Sequence, residues 1–290
     1  MPLPPHPWPT GLAEPLEPLV RRVLAPNGSP YTYTGTQTYL VGAGEGLAVI
    51  DPGPAEAKHL AALEAAIGDE PVLAICCTHT HRDHSPAAAP LAARTGAPVI
   101  GCAPLVLQSD EPRADAPFDP DYAPDRVLAD GESIAGPGWT LTALATPGHT
   151  SNHLCYALEE TGALFTGDHV MGWSTSVVAP PDGDMAAYMA SLETLHARAD
   201  RVYYPAHGPQ VTNPRQLVRG MIGHRRQRER QILRLLDQEG RDVGDLVSLM
   251  YKGIDPRLRP AAGQSVKAHL IDLERRARVA RRGEIWTSTS

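Results

Sequence analysis

Apolar runs of strand length alternate with helix-spaced patterns along most of the chain. Thr38 to Val41 and Leu47 to Ile50 flank the turn Gly42-Ala43-Gly44-Glu45-Gly46, which predicts a hairpin. A helix is expected from about Ala55 to Ile67, then a strand over the unbroken apolar run Val72-Leu73-Ala74-Ile75-Cys76-Cys77. An alanine-rich helix follows from Ser85 to Thr95 with Gly96 as its stop, and a short strand from Ala97 to Ile100. The theme repeats with strands at Thr140 to Ala145, Leu154 to Leu158 and Ala163 to Thr166, the last two joined by Glu159-Glu160-Thr161-Gly162. From Met185 to Ala199, Met185, Met189, Leu192 and Leu195 recur at helical spacing, a core-facing stripe. Strand and helix in alternation predict an α/β (α+β) fold of mixed sheets flanked by helices.

Past Asn213-Pro214 the pattern becomes mostly helical. Helices are expected at about Pro214 to Gln238, Val243 to Tyr251 and Gln264 to Arg278, with an extended piece from Val279 to Trp286 around Arg281-Arg282-Gly283. That order is winged-helix-like, and Val266, Leu270 and Leu273 give the third helix a core face. Charge divides at the same place. Residues 215–290 hold 17 Arg and Lys against 9 Asp and Glu, and residues 1–214 hold 9 against 24, which together make the net −7. The split suggests a catalytic body over 1–214 and a basic small domain over 215–290. A basic tail invites a polyanion, with Arg275, Arg278 and Arg282 as candidate nucleic-acid contacts; equally, it can dock on the acidic body or on a second subunit. Arg275, Arg276 and Arg278 also complement a helix C-terminus. Between the halves, residues 109–125 are acidic, proline-rich and aperiodic, either a surface loop or a lid that brings Phe118 or Tyr122 to a substrate.

Composition narrows the class. The chain has 290 residues with 42% hydrophobic content, enough for one large core and a small one. Prolines break the N-terminal stretch Met1-Pro2-Leu3-Pro4-Pro5-His6-Pro7-Trp8-Pro9, so it lacks a signal-peptide apolar region, and no stretch approaches a membrane span. A soluble cytoplasmic protein, monomer or homodimer, is the expectation. Cys76, Cys77, Cys102 and Cys155 show no Cys-x-x-Cys spacing and read as reduced core residues.

Chemistry concentrates in Thr78-His79-Thr80-His81-Arg82-Asp83-His84, directly behind the apolar run at Val72 to Cys77. In a tight loop after a strand, His79 and His81 can converge on one ion while Asp83 and His84 turn toward a neighbouring point. Imidazole suits zinc, and a carboxylate adds charge. His149 in Thr146-Pro147-Gly148-His149-Thr150, Asp168 in Phe165-Thr166-Gly167-Asp168 and His207 in Tyr204-Pro205-Ala206-His207-Gly208 stand at strand or turn mouths and complete seven candidate ligands, enough for two metals. Asp51, at a strand end before Pro52, either orients the ligand loop or caps a turn. His153 and His169, beside ligands, are candidates to position a ligand or to touch substrate.

This arrangement resembles the metallo-β-lactamase-fold hydrolase superfamily, whose pattern is His-x-His-x-Asp-His followed by a His, an Asp and a final His. The resemblance implies a four-layer αββα sandwich. It implies that His79, His81 and His149 hold one zinc, that Asp83, His84 and His207 hold the second, and that Asp168 bridges them. Two Zn²⁺ per chain are therefore expected, with Mn²⁺ or Fe also suited to an oxygen-and-nitrogen donor set. True β-lactamases of the fold usually carry Cys where Asp168 stands, which disfavours antibiotic hydrolysis.

With its tail, the chain is similar to the lactamase-like protein 2 branch, which includes an endoribonuclease. That similarity rests on His81-Arg82-Asp83-His84-Ser85, the Gly-Pro after His207, His153, and the segment from His224-Arg225 to Gln231-Ile232-Leu233. It implies a metal-bridging hydroxide that Asp83 orients, while Asp168 sets the metal separation. The first expectation for the substrate is single-stranded RNA cleaved at a phosphodiester. The alternative is a small thioester, ester or lactone, as in glyoxalase II. A non-catalytic reading, structural metals beside a binding module, is disfavoured because structural zinc prefers a closed four-ligand shell.

Overall fold

Strands β3 (Gln37–Gly42) and β4 (Leu47–Ile50) are buried at every position, so each needs cover on both faces. The computed structural model, which describes residues 8–105, 117–237 and 239–289, supplies that cover as layers. β1 (Ala13–Glu17), β2 (Val20–Leu24), β3 and β4 form an antiparallel meander. β5 (Val72–Cys77), β6 (Val99–Gly101) and β7 (Arg126–Val127) extend it in parallel. Parallel neighbours need crossovers, and α1 (Ala57–Ile67) and α2 (Ala88–Thr95) provide them. Gly96, in the left-handed region at φ 72°, ends α2 as the sequence predicts.

The second sheet runs β12-β11-β10-β9-β8, with β8 (Ser133–Gly136), β9 (Trp139–Ala145), β10 (Leu154–Leu158) and β11 (Ala163–Gly167) antiparallel and β12 (Val202–Pro205) parallel to β11. α3 (Met185–Ala197) makes the crossover into β12. Leu40, Ile50 and Ile75 of the first sheet share a core with Leu141, Tyr156 and Phe165 of the second. Burying each such side chain contributes roughly 1.5–3 kcal/mol. Polar tips of the core aromatics bridge the layers: Tyr156 OH donates to Cys77 O at 2.7 Å, Tyr39 OH to Pro205 O at 2.6 Å, and Trp139 Nε1 to Gly46 O at 2.9 Å. Leu164, Tyr203 and Cys155 face away from that core and pack under Tyr188 and Leu192 of α3. The result is the four-layer αββα sandwich.

α4 (Pro214–Leu236) joins body and tail: Val218, Met221 and Ile222 pack with α3, while Ile232 and Leu236 enter the tail's own core. That core adds Leu246 and Val247 of α5 (Val243–Met250), Val266, Leu270 and Leu273 of α6 (Arg259–Arg275), and Trp286. The expected extended piece is a hairpin of β13 (Val279–Arg282) and β14 (Ile285–Ser288), which completes a winged helix. α6 starts at Arg259, earlier than the expected Gln264, because Pro260 sits in its first turn, where a missing N–H is tolerated. The basic tail docks on the body through Arg226 with Glu193 at 2.7 Å and Arg275 with Asp184.

All four cysteines are free and buried. Burial pushes the Cys102 and Cys155 thiols up to about 12, so they are not thiolates near neutral pH. Among the described residues, no helix is long and apolar enough to cross a membrane.

Candidate metal centre

β5 delivers the ligand loop, and Asp51 at the end of β4 fixes it. The Asp51 carboxylate accepts from Thr78 N at 2.7 Å, from Thr78 Oγ1 at 2.8 Å and from His84 Nδ1 at 3.0 Å. Asp51 holds φ 48°, a conformation that is uncommon outside glycine and that Asp and Asn tolerate best. The Asp51 carboxylate therefore ties the strand end to the following loop and leaves His84 Nε2 as the unbonded ring nitrogen.

The other imidazoles are aimed in the same way. His149 Nδ1 donates to Val177 O at 2.6 Å and His207 Nδ1 to Gly35 O at 3.3 Å, an assignment that leaves both Nε2 atoms free to bind. Gly148 lets the chain reach His149: at φ 137°, a Cβ there would stand 2.3 Å from Tyr188 Cα. Gly167 serves Asp168 similarly, since its Cβ would meet His153 Nε2 and Thr78 Oγ1, each at 2.7 Å.

Seven side chains converge as two groups: His79, His81, His149 and Asp168 in one, Asp83, His84 and His207 in the other, with the donor atoms of each group within 4.8 Å of one another. His81 Nδ1 lies 3.0 Å from His79 Nε2 and 3.2 Å from His149 Nε2. Ligands around a tetrahedral zinc ion at about 2.0–2.1 Å stand about 3.3 Å apart, so these spacings fit a shared cation. Asp168 spans the groups, with Oδ2 at 3.7 Å from His149 Nε2 and Oδ1 at 3.2 Å from His207 Nε2. Asp83 Oδ2 is 3.2 Å from His207 Nε2 and 3.4 Å from His84 Nε2.

His84 Nε2 and Asp168 Oδ1 are buried without a hydrogen-bond partner. Buried polar atoms are rarely left so, and cations would satisfy both. The donor set of imidazole and carboxylate fits zinc, manganese or iron. The residues present therefore fit a dinuclear metal site.

Electrostatics agree with that fit. Burial opposes ionisation of Asp83 and Asp168, but His84 and His207 outweigh it and hold both carboxyls well below the usual range. Burial likewise disfavours charge on His207, yet Asp168 and Asp83 raise it to about 9. Away from the carboxylates the sign reverses: burial, with His81, lowers His149 to about 4.

His153 is buried beside Asp168. Its Nδ1 donates to Thr146 Oγ1 at 2.9 Å and its Nε2 accepts from Asp168 N at 3.3 Å. His169 is fully buried and packs on Tyr188 with ring centroids 4.6 Å apart.

A cavity of about 510 Å³ opens over the ligands, walled by Pro54, Pro117, Met171, Val177 and Ala261. Of the expected arginines, none lines it. Arg275 turns instead to Asp184 at the start of α3, and Arg278 and Arg282 are exposed on the winged-helix domain. Arg82 is the one arginine or lysine on the cavity wall among the described residues. Tyr122 does not reach the cavity either, because it is buried in the core between the sheets. Phe118 forms a bridge with His81 behind the wall that Pro117 provides; residues 106–116 of the acidic stretch lie outside the described residues.

Sequence reasoning missed several contributors. Thr36 Oγ1 lies 3.5 Å from Asp83 Oδ2, and Asn27 grips Thr36 through two contacts of 2.8 Å. His59, lowered to about 4 chiefly by burial, lies 3.0 Å from Pro52 O and 3.1 Å from Thr38 Oγ1, and so braces the turn after Asp51. Thr78 carried a signal, since it stands between strand and ligand loop opposite an acidic strand end.

Comparison with known proteins agrees with this geometry. Residues 31–207 match the family model described as the metallo-beta-lactamase superfamily, and residues 243–286 match the beta-lactamase associated winged helix domain. A curated relative, the atrochrysone carboxyl ACP thioesterase of Paecilomyces divaricatus, is 33% identical over 81% of this chain and 70% of its own length. Among solved structures, a beta-lactamase domain protein from Burkholderia ambifaria superposes with TM-score 0.81 at 20% identity, covering 97% of this chain and 94% of that one. Another, solved in a di-iron-bound form, is 29% identical with TM-score 0.52 over 66% of this chain and 93% of its own.

Proposed function

Since the chain belongs to the metallo-beta-lactamase superfamily and is a hydrolase of that superfamily, we propose that its substrate is a small thioester, cleaved at a dinuclear zinc site. The observation that carries this reading is the cavity over the ligands: about 510 Å³, apolar along most of its wall, with Arg82 as its basic side chain. Such a space suits an acyl chain. RNA needs a groove with cations along a phosphate backbone and aromatic faces for bases. Arg275, Arg278 and Arg282 do not supply one, and several curated relatives are named for thioesterase activity, which favours the carbon ester over the phosphodiester.

When bound, paired divalent cations supply Lewis acidity toward the scissile carbonyl and acidify water to a pKa of about 7. The chain's own residues prepare for this. Asp83, kept ionised against the cost of burial by His84 and His207, faces both imidazoles with Oδ2 at the cavity wall, 3.5 Å from the Thr36 hydroxyl, where it would help hold a cation and orient water by hydrogen bonding. Asp168 keeps the two ligand groups at fixed separation through its two oxygens. Met171 and Val177 exclude bulk water from one wall, which strengthens each electrostatic contact inside. Zinc follows from the nitrogen-rich donor set, while the relative solved with iron supports iron as an alternative occupant.

The test is turnover of four substrates by the metal-loaded protein: an acyl thioester, a lactone, an activated phosphodiester and a short single-stranded RNA. Thioester hydrolysis that is lost on chelation and in Asp83→Asn is expected. Cleavage of RNA with no thioester turnover overturns the reading.

A further inference from the structure

Behind the metal cleft lies a second cavity of about 270 Å³, built between the sandwich and the winged-helix domain. It shares Tyr31, Met171, Val177 and Ala261 with the metal cleft, so the two spaces meet along a common wall. Its character differs from that cleft. His224, Arg225 and Arg228 of α4 line it together with the hydroxyl-bearing Ser174, Thr175, Ser176 and Ser265, and no Asp or Glu lines it among the described residues.

Arg225 is 3% exposed, and among the described residues no carboxylate pairs with it. One guanidinium nitrogen donates to Ser176 O, the group lies 5.0 Å over the Tyr188 ring, and Nε has no partner. Arg228, one helical turn on, is also without an ion pair among the described residues. It donates to Gln231 Oε1 at 2.9 Å, to His224 Nε2 at 3.3 Å and to Met250 O at 3.3 Å, and sits 4.5 Å over Tyr251. A purely structural arginine clamp would account for the carbonyl and ring contacts. It leaves unexplained the open Nε and the gathering of cations without a counter-ion, because burying a charge is unfavourable unless it is paired.

From this we infer that the inter-domain cavity is an anion subsite, and that the substrate is a thioester carrying a carboxylate or phosphate remote from the scissile bond. The inference rests on the thioester reading above and deepens it. Planar guanidinium groups recognise both anions through paired N–H donors. The anion can sit on the acyl side, as in a dicarboxylic acyl group, or on the thiol side, as in a phosphorylated pantetheine arm. The apolar cleft holds the intervening chain, and the wall shared at Met171 and Val177 sets the two spaces side by side.

The experiment compares the metal-loaded wild type with Arg225→Gln and Arg228→Gln, the second kept because its half-exposed side chain can be changed with less risk to folding. Glutaryl and butyryl thioesters of N-acetylcysteamine probe the acyl side; butyryl-coenzyme A against butyryl-N-acetylcysteamine probes the thiol side. In the wild type one anionic series should be preferred in kcat/KM, and in both variants that preference should fall at least tenfold, mainly through KM. No anionic preference in either series, or a preference unchanged in the variants, overturns the subsite. Glutarate and inorganic phosphate are tested separately by thermal shift. If no thioester is turned over but either anion raises the wild-type Tm and not that of the variants, the subsite stands and the thioester reading fails. If thioesters are hydrolysed with no anionic preference that the variants reduce, and neither anion has an effect that the variants remove, the reverse holds.

Discussion

Asp51 Oδ2 and His84 Nδ1 are 3.0 Å apart and both residues are buried, so a carboxylate at the end of one strand decides which nitrogen of a ligand on the next loop is free. Asp51→Asn probes that role, because Asn tolerates the φ of 48° as well as Asp does and keeps an oxygen for Thr78 N. What it loses is the second carboxylate oxygen, which accepts from both His84 Nδ1 and the Thr78 hydroxyl. Partners of this kind alter metal affinity by about 10–100-fold. Competition with a chromogenic chelator should therefore show the second ion released at lower chelator concentration, with thermal stability at saturating metal close to wild type. Unaltered affinity would make Asp51 a turn cap only.

Metal removal should be visible in stability as well as in activity. Five imidazoles and two carboxylates crowd the centre, and among the described residues His84 Nε2 and Asp168 Oδ1 make no hydrogen bond. A ligand that binds only the folded state stabilises it by about 2.7 kcal/mol at a hundredfold excess over its Kd. Titration of free zinc should raise Tm progressively until both sites fill, and chelation should reverse the rise. A Tm indifferent to zinc would show that these side chains do not hold ions.

The candidate metal cluster was legible because His79, His81, Asp83 and His84 follow one apolar strand without interruption, and each later member sits in a short turn of its own. The cavity above them was not, since Tyr31, Pro117, Met171, Val177 and Ala261 come from distant segments, and no local period links them. Charge left two readings of the tail open. Its arginine excess allowed a polyanion or docking on the acidic body, and Arg226 and Arg275 meet Glu193 and Asp184 of the body. Arg225 and Arg228 stand in the same run, and only the packing of α4 separates them from exposed Arg226 and Arg230. β1 and β2 were missed because Pro15 and the paired Arg21-Arg22 interrupt the alternation expected of strands.

Gly148 should not accept even a methyl group. At φ 137° an L side chain is strained, and its Cβ would lie 2.3 Å from Tyr188 Cα and 2.4 Å from Tyr188 N, both backbone atoms of a packed helix. Gly148→Ala is expected to lose at least about 2 kcal/mol in urea unfolding, since relief requires the turn or α3 to move. The neighbour most affected is His149, so metal stoichiometry should drop alongside stability. Full stability with two ions retained would show that the turn adapts.

His269 supplies the pH prediction, away from the metal centre. It lies on α6 at 3% exposure with both ring nitrogens unpartnered, and burial, followed by Arg225, His224, Arg276 and Arg228, lowers it to about 3. In the unfolded chain the same ring takes a proton near pH 6.5. Above that pH both states are neutral and the residue adds no pH dependence; as pH falls below it, the unfolded state binds a proton that the folded state refuses, so stability falls. The loss grows by about 1.4 kcal/mol per pH unit until the folded ring also protonates. His269→Leu keeps a side chain of similar reach without the titrating group. Its urea-unfolding free energy should drop about 2 kcal/mol less than the wild type's between pH 6.5 and pH 5. Other acid-sensitive groups, the metal ligands among them, act equally in both proteins and cancel in that difference. Equal slopes for the two proteins would mean that His269 reaches water or a hidden partner in the folded state.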